Sequence, residues 1–188
     1  MLIIHRMGSL EKILADMDSY DWDSVDDYRQ RSPESYRLWR QHWIDMLDAS
    51  GLSLTGSLLD VACGPVSLGA YYPDTIGLDA DPKYIKAIRK QSIRGIIGDF
   101  RDMPFDDDEF DYSVCFSPPL APYELDTLNI QRDLESCELV KEVTSEMIRV
   151  TKKKVLIVHT YYANAFAPQE FKHLVEKRDT NYILYSCR

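Results

Sequence analysis

The sequence predicts an α/β fold: a doubly wound, mostly parallel sheet with an N-terminal helical cap. Three observations predict it. From residue 57 onward, short apolar runs alternate with helical stretches, the pattern of βαβ units. Three successive strand candidates end at or beside an acid, Asp60, Asp79 and Asp99, spaced 19 and 20 residues apart. Ahead of them, residues 9–50 show apolar side chains at helical rather than alternating spacing.

The helical part comes first. Leu10, Ile13, Leu14 and Met17 recur at the spacing of one short amphipathic helix. Ser32 has the chemistry of an N-cap and Pro33 that of a first helical position. Tyr36, Trp39, Trp43, Met46 and Leu47 then form an apolar stripe that ends near Gly51. The tryptophans are read as core packing. Strands follow at Ser57 to Ala62, Thr75 to Asp79, Gly95 to Asp99, Tyr112 to Ser117, Lys154 to Tyr161 and Tyr182 to Cys187. Helices fall at Pro82 to Gln91, where Tyr84, Ile85 and Ile88 make an apolar face, and at Leu134 to Val150. For the stretch after Tyr162 two readings stand: a helix from Pro168 to Glu176 leading into the last strand, or a hairpin turning near Asp179-Thr180.

A chain of 188 residues with 45% hydrophobic side chains has the size and composition of a single packed domain, so 1–188 is read as one unit. The cap spans about 9–50 and the core 57–188. With 22 basic against 31 acidic side chains the net charge is −9, which argues against a nucleic-acid or anionic-membrane footprint. The acids cluster at residues 11–27 and again at Asp106-Asp107-Asp108-Glu109 with Asp111. Cys63, Cys115, Cys137 and Cys187 form no C-x-x-C pair, so neither a metal site nor a disulfide framework is expected and a reducing cytosol fits. Met1 to Arg6 holds too short an apolar run for a signal peptide, and no run of 18 apolar residues occurs. A soluble, cytoplasmic protein is the expectation.

In an open parallel sheet, ligands bind past the carboxyl ends of the strands, where the strand order reverses. The first strand runs through Leu59, Asp60 and Val61 into Ala62-Cys63-Gly64-Pro65. Small residues there let backbone amides approach a ligand closely, and Asp60 can accept from hydroxyl or ammonium groups. Cys63 has no basic neighbour in sequence and is read as a packing residue of that loop. Asp79 holds the strand-end position that takes a ribose hydroxyl pair in nucleotide-binding βαβ units. The G-x-G-x-x-G of hydride-transferring dinucleotide enzymes is absent after the first strand.

On these residues the chain resembles the class I S-adenosylmethionine-dependent methyltransferases, in particular the small type 11 group, over residues 57–162. The family's D-x-G-x-G-x-G is met by Asp60-Val61-Ala62-Cys63-Gly64-Pro65-Val66, with Gly64 the retained glycine. The stretch Gly98 to Phe105, followed by Glu109-Phe110-Asp111, is the most specific match. The resemblance implies a Rossmann-like fold and S-adenosyl-L-methionine as cofactor. It places Asp60, Ala62, Cys63 and Gly64 at the cofactor loop, Asp79 on the ribose hydroxyls, Ala80 against the adenine, and Asp99 with Phe100 at the adenine edge. Ser117-Pro118-Pro119-Leu120 is similar to the D/N/S-P-P-aromatic motif of amino-group methyltransferases, with Leu120 in place of the aromatic; its plain reading is a turn that stops the strand.

His159 and Tyr161 lie two apart on the fifth strand and so point the same way, with His159 suited to act as a general base. His159, Ser117 and Tyr161 are therefore the candidate catalytic residues. Tyr20 to Arg31 and Ser117 to Tyr123 are expected to line the substrate side. The expected reaction is methyl transfer to an N or O nucleophile, on a small-molecule acceptor, with a protein partner left open. The alternatives are a non-catalytic cofactor-binding subunit or sensor, another nucleotide-using Rossmann-like enzyme, or an amino-group methyltransferase acting on a macromolecule through Ser117-Pro118-Pro119.

Overall fold

A computed structural model describes residues 33–116, 130–158, 168–179 and 182–187. The expected helix at Leu10 to Met17 and the loop Ser117 to Tyr123 lie outside the described residues, as do the side chains of Tyr36 and Trp39. Helix α1 (Pro33–Ser50) precedes a seven-stranded sheet made of β1 (Leu58–Val61), β2 (Thr75–Asp79), β3 (Arg94–Ile97), β4 (Phe110–Phe116), β5 (Thr151–Val158), β6 (Val175–Arg178) and β7 (Tyr182–Ser186). Helices α2 (Pro82–Arg89) and α3 (Ile130–Val150) connect β2 to β3 and β4 to β5. The strand order is β3-β2-β1-β4-β5-β7-β6. Strands β1 to β5 pair in parallel, and β7 runs antiparallel to both β5 and β6.

Successive strand residues feed opposite faces. Leu59, Cys115, Ile157 and Ile183 join Val143, Met147 and Val150 of α3 in one core. Leu58, Val114, Leu156 and Leu184 join Leu47 of α1 in the other. Burial on both faces explains why these strands read as unbroken apolar runs.

Between β2 and β3, Asp81 caps α2 by accepting from the Lys83 amide at 2.8 Å, with Pro82 at the first helical position. Gly77 and Gly95 lie side by side in register under this helix. A methyl group on either would sit 2.6 or 2.8 Å from Ile88 Cδ1, so the paired glycines let α2 settle onto the sheet.

The link from β1 to β2, residues 62–74, carries only a 3-10 turn at Leu68–Ala70. That is close to the shortest parallel crossover, about 10–12 residues. Leu68 at 0% exposure plugs the α1-side core where a longer helix would otherwise lie.

Helix α1 ends at Gly51 in the left-handed region, φ +75°. The Gly51 amide donates to Asp48 O at 3.0 Å and the Leu52 amide to Leu47 O at 3.4 Å, while Leu47 and Leu52 share a core. From the far edge of the sheet, Lys177 Nζ donates to Ala49 O at 2.8 Å and Tyr182 OH to the same carbonyl at 3.2 Å. The C-terminal hairpin thus holds the end of the N-terminal helix.

The tail combines the two expectations: a 3-10 helix at Gln169–Leu174 leads into a hairpin, closed by the Asp179 amide donating to Tyr182 O at 3.0 Å. Strand β6 is the first arm of that hairpin, which the sequence reading gave no bounds.

The β3–β4 connection is pinned by Arg149 near the end of α3. Its guanidinium donates to Glu146 Oε1 and Oε2, each at 2.7 Å, to Asp107 Oδ1 at 2.8 Å, and to the carbonyls of Phe105 and Met103 at 2.9 and 3.1 Å. Glu146 in turn accepts from the Met103 amide at 2.9 Å. Arg149→Ala strips partners from two carbonyls and a half-buried carboxylate, and is expected to lower stability by about 2–3 kcal/mol. Urea denaturation followed by circular dichroism measures this; a loss below about 0.5 kcal/mol, the range of ordinary surface changes, would remove Arg149 from that role.

Candidate functional site

The strand order reverses between β1 and β4, so the crevice for a ligand opens beyond Val61 and Phe116. The chain leaves β1 through Ala62 and Gly64, both left-handed, with φ of 52° and 55°. For Ala62 that conformation costs about 1 kcal/mol, a strain that the glycine of the related motif avoids. A methyl on Gly64 would meet no atom of the described residues within 4 Å, so among them the loop backbone borders open space. The Cys63 amide donates to Leu78 O at 3.1 Å and its side chain packs with Ile85, Ile88 and Ile93. Burial and the charges of Asp60 and Asp79 push the Cys63 thiol up, leaving it a packing group rather than a nucleophile.

Two acids hold this loop. Asp60, 3% exposed, accepts from the Leu68 amide at 2.8 Å and from Ser67. Burial pushes its carboxyl up to about 7; the Leu68 and Ser67 hydrogen bonds pull the other way, and the nearby Asp79 adds to the rise. Asp79 ends β2 and accepts from the Gly64 amide on Oδ2 and the Asp81 amide on Oδ1, both at 2.9 Å. Burial raises its carboxyl as well. Among the described residues neither acid has an ion-pair partner.

Next to Asp79, Ala80 is exposed. Asp99 falls two residues past the end of β3, where Arg101 grips it: the Arg101 amide and Nε donate to Oδ1 at 2.8 and 3.0 Å, and Nε and Nη2 to Oδ2 at 3.1 and 2.6 Å. That guanidinium holds the Asp99 carboxyl below its usual range. Phe100 is half-buried against the α3-side core. At the end of β4, Phe116 stacks on Trp43 of α1, ring centroids 4.6 Å apart and planes 28° from parallel.

The structure therefore brings Asp60, Ala62, Cys63, Gly64 and Asp79 to one loop, with Ala80, Asp99 and Phe100 at the neighbouring strand ends. Ser117, His159 and Tyr161 lie outside the described residues. Ser67, Leu68 and Arg101 were not singled out from sequence. Their roles follow from where a loop folds back, for which no periodicity exists. The described residues hold no candidate metal cluster, and no helix among them is long and apolar enough to cross a membrane.

This donor set fits S-adenosylmethionine. A buried and a half-buried carboxylate with no cation among the described residues suit a ligand that brings one, Asp79 ends the strand that binds ribose in nucleotide-binding βαβ units, and Gly64 leaves room among the described residues for close backbone approach.

The buried Asp60 carries a pH signature. Its folded pKa of about 7 lies above the ordinary 3.8, so in the ligand-free chain the associated stability is complete below the lower value and is lost as pH rises through the upper one. Asp60→Asn, whose amide oxygen still accepts from Leu68, should gain on the parent chain progressively over that window. Thermal melts at a series of pH values test this, and a difference that stays flat with pH would show that Asp60 does not titrate there.

Residues 59–158, more than half of the 188-residue chain, match the family model described as methyltransferase domain. A search of curated proteins finds no match. Among solved structures, the PH0226 protein of Pyrococcus horikoshii aligns at TM-score 0.52 and 23% identity, over 74% of this chain and 62% of that one. Monomeric WbdD aligns at TM-score 0.50 and 17% identity, over 84% and 42%. A SAM-dependent methyltransferase of Thermotoga maritima, named as a possible histamine N-methyltransferase, aligns at TM-score 0.47 and 17% identity, over 77% and 64%. The chain spans less than two thirds of the length of each of these structures. The Pyrococcus and WbdD alignments share the fold described above, and the match over residues 59–158 shows that the chain belongs to the class I S-adenosylmethionine-dependent methyltransferases.

Proposed function

We propose that this chain transfers a methyl group from S-adenosylmethionine to a nitrogen or oxygen nucleophile of a small molecule. The observation that carries the reading is the pair of acids at neighbouring strand ends, Asp60 buried and Asp79 half-buried, which hold one loop and have no ion-pair partner among the described residues. Asp79 receives the ribose hydroxyls, Ala80 packs against the adenine, and Asp99 with Phe100 flanks its edge. The amides of Ala62 to Gly64 and the charge of Asp60 orient the amino-acid end.

The bound cofactor supplies an electrophilic methyl on a sulfonium, so the protein's own work is proximity and in-line orientation. Phe116, the last residue of β4, is braced by stacking on Trp43 of α1. For a hydroxyl acceptor, an imidazole nitrogen of His159 takes the proton; a neutral amine attacks with its lone pair. Ser117 and Tyr161 are assigned to the acceptor side from sequence alone, as the last residues of the fourth and fifth expected strands. The net charge of −9 supports a small acceptor over a nucleic acid.

Calorimetric titration with S-adenosylmethionine, S-adenosylhomocysteine and NADH tests the reading: micromolar binding of the first two and none of the third is expected. Binding of NADH alone would overturn it. Asp79→Ala should weaken S-adenosylhomocysteine by roughly 10- to 100-fold, the scale of lost charge-assisted hydrogen bonds, and unchanged affinity would displace Asp79 from the ribose. Gly64→Ala adds a methyl that meets no atom of the described residues within 4 Å. Its folding cost should stay near 1 kcal/mol, from the left-handed backbone, while cofactor affinity falls at least tenfold; equal binding by the variant would put the cofactor elsewhere.

A further inference from the structure

Arg101 occupies the carboxylate that the cofactor reading assigns to the adenine edge, and the geometry leaves no room for both. A carboxylate offers two acceptor directions on each oxygen. On Asp99 all four are engaged by one residue: Oδ1 by the Arg101 amide and Nε, Oδ2 by Nε and Nη2, at 2.6–3.1 Å. The amide contact belongs to the turn itself and stays. The three guanidinium contacts are made by a side chain that is 55% exposed, against 43% for Asp99, so they lie in water and are cheap to break.

Arg101 also has somewhere to go. Asp99 and Arg101 line an open groove of ≈ 510 Å³ with Lys141, Glu142, Ser145 and Phe171. Glu142 on α3 already attracts the Arg101 charge. The turn beneath is rigid, because Met103 and Phe105, next along the chain, are buried and tied to Arg149 and Glu146. Only the side chain needs to move.

We propose that Arg101 is a competing occupant of the adenine subsite: its guanidinium leaves Asp99 for the groove before a purine 6-amino group is accepted there. Arg101 thereby sets cofactor affinity and tunes how strongly the 6-amino group is read. The inference rests on the cofactor reading above and adds a residue that this reading does not use.

The test compares S-adenosylhomocysteine with its analogue carrying hydrogen in place of the 6-amino group, titrated calorimetrically into the parent chain, Arg101→Ala and Arg101→Lys. Removing an exposed ion-pair partner is expected to tighten S-adenosylhomocysteine about three- to fivefold in Arg101→Ala and to leave the analogue unchanged. Arg101→Lys, which keeps the charge without the fork, should fall between. Raising salt should narrow the gap between parent and Arg101→Ala, because the competing pair is exposed and screened. Weaker S-adenosylhomocysteine binding by Arg101→Ala, or an equal shift for both ligands, would overturn the proposal. So would equal affinities in parent and variant, with the cofactor reading intact. If the parent chain binds no S-adenosylhomocysteine, both readings fall together.

Discussion

A carboxylate buried inside an apolar sheet must be given hydrogen-bond donors, and the Asp60 side chain obtains them by drawing the chain back upon itself. Its bonds to Leu68 and Ser67 set the path of the loop after β1. Much else follows from that turn-back. With Ser67 and Leu68 fixed, the Leu68 side chain enters the α1-side core beside Leu47 and Leu58, and the crossover to β2 needs no full helix. Gly64 is then presented to Asp79, which completes the grip from the neighbouring strand. The loop is therefore shaped by electrostatic need at both ends, and its strained Ala62 is held by the surrounding bonds rather than by its own preference.

The neighbouring strand ends are positioned by different means. Paired glycines at 77 and 95 bring α2 close over β2 and β3, which sets Asp81 where its amide supports Asp79. The Arg149 hub fixes the chain beyond Asp99 from the opposite face of the sheet. Backbone geometry on one side and a cation on the other thus converge on the same crevice. The acidic stretch at 106–111 is largely consumed in this work: Asp107 pairs with Arg149 and Asp111 with Lys153 at 3.0 Å. What reads in sequence as a solvated charge run is in part a set of fastenings.

The sheet was legible because its strands are buried on both faces. Strand β2 matches its expected bounds, and β1, β4 and β7 agree within a residue or two at each end. Strand β3 starts a residue earlier than expected and stops before Asp99, which places that acid on a turn where Arg101 can reach it. Strand β6, Val-Glu-Lys-Arg, is an exposed edge with one half-buried residue, so no apolar alternation marks it. The acids Asp60, Asp79 and Asp99 stood out by their regular spacing at strand ends. Ser67, Leu68 and Arg101 did not, since their parts are decided by tertiary turn-back. Trp43 is read from sequence as packing, and it does pack on the α1-side core, stacked on Phe116.

The clamp on α1 imposes an order of assembly. Strand β7 enters the sheet between β5 and β6 although it follows both in the chain. Lys177 and Tyr182, which grip the carbonyls at the end of α1, come more than a hundred residues after that helix. During synthesis, which proceeds at roughly 5–20 residues per second, the carbonyl of Ala49 at the end of α1 receives these two donors only once the hairpin has been made. The fastening of α1 is consequently completed after the loop that Asp60 and Asp79 hold, whose residues all precede the hairpin in the chain.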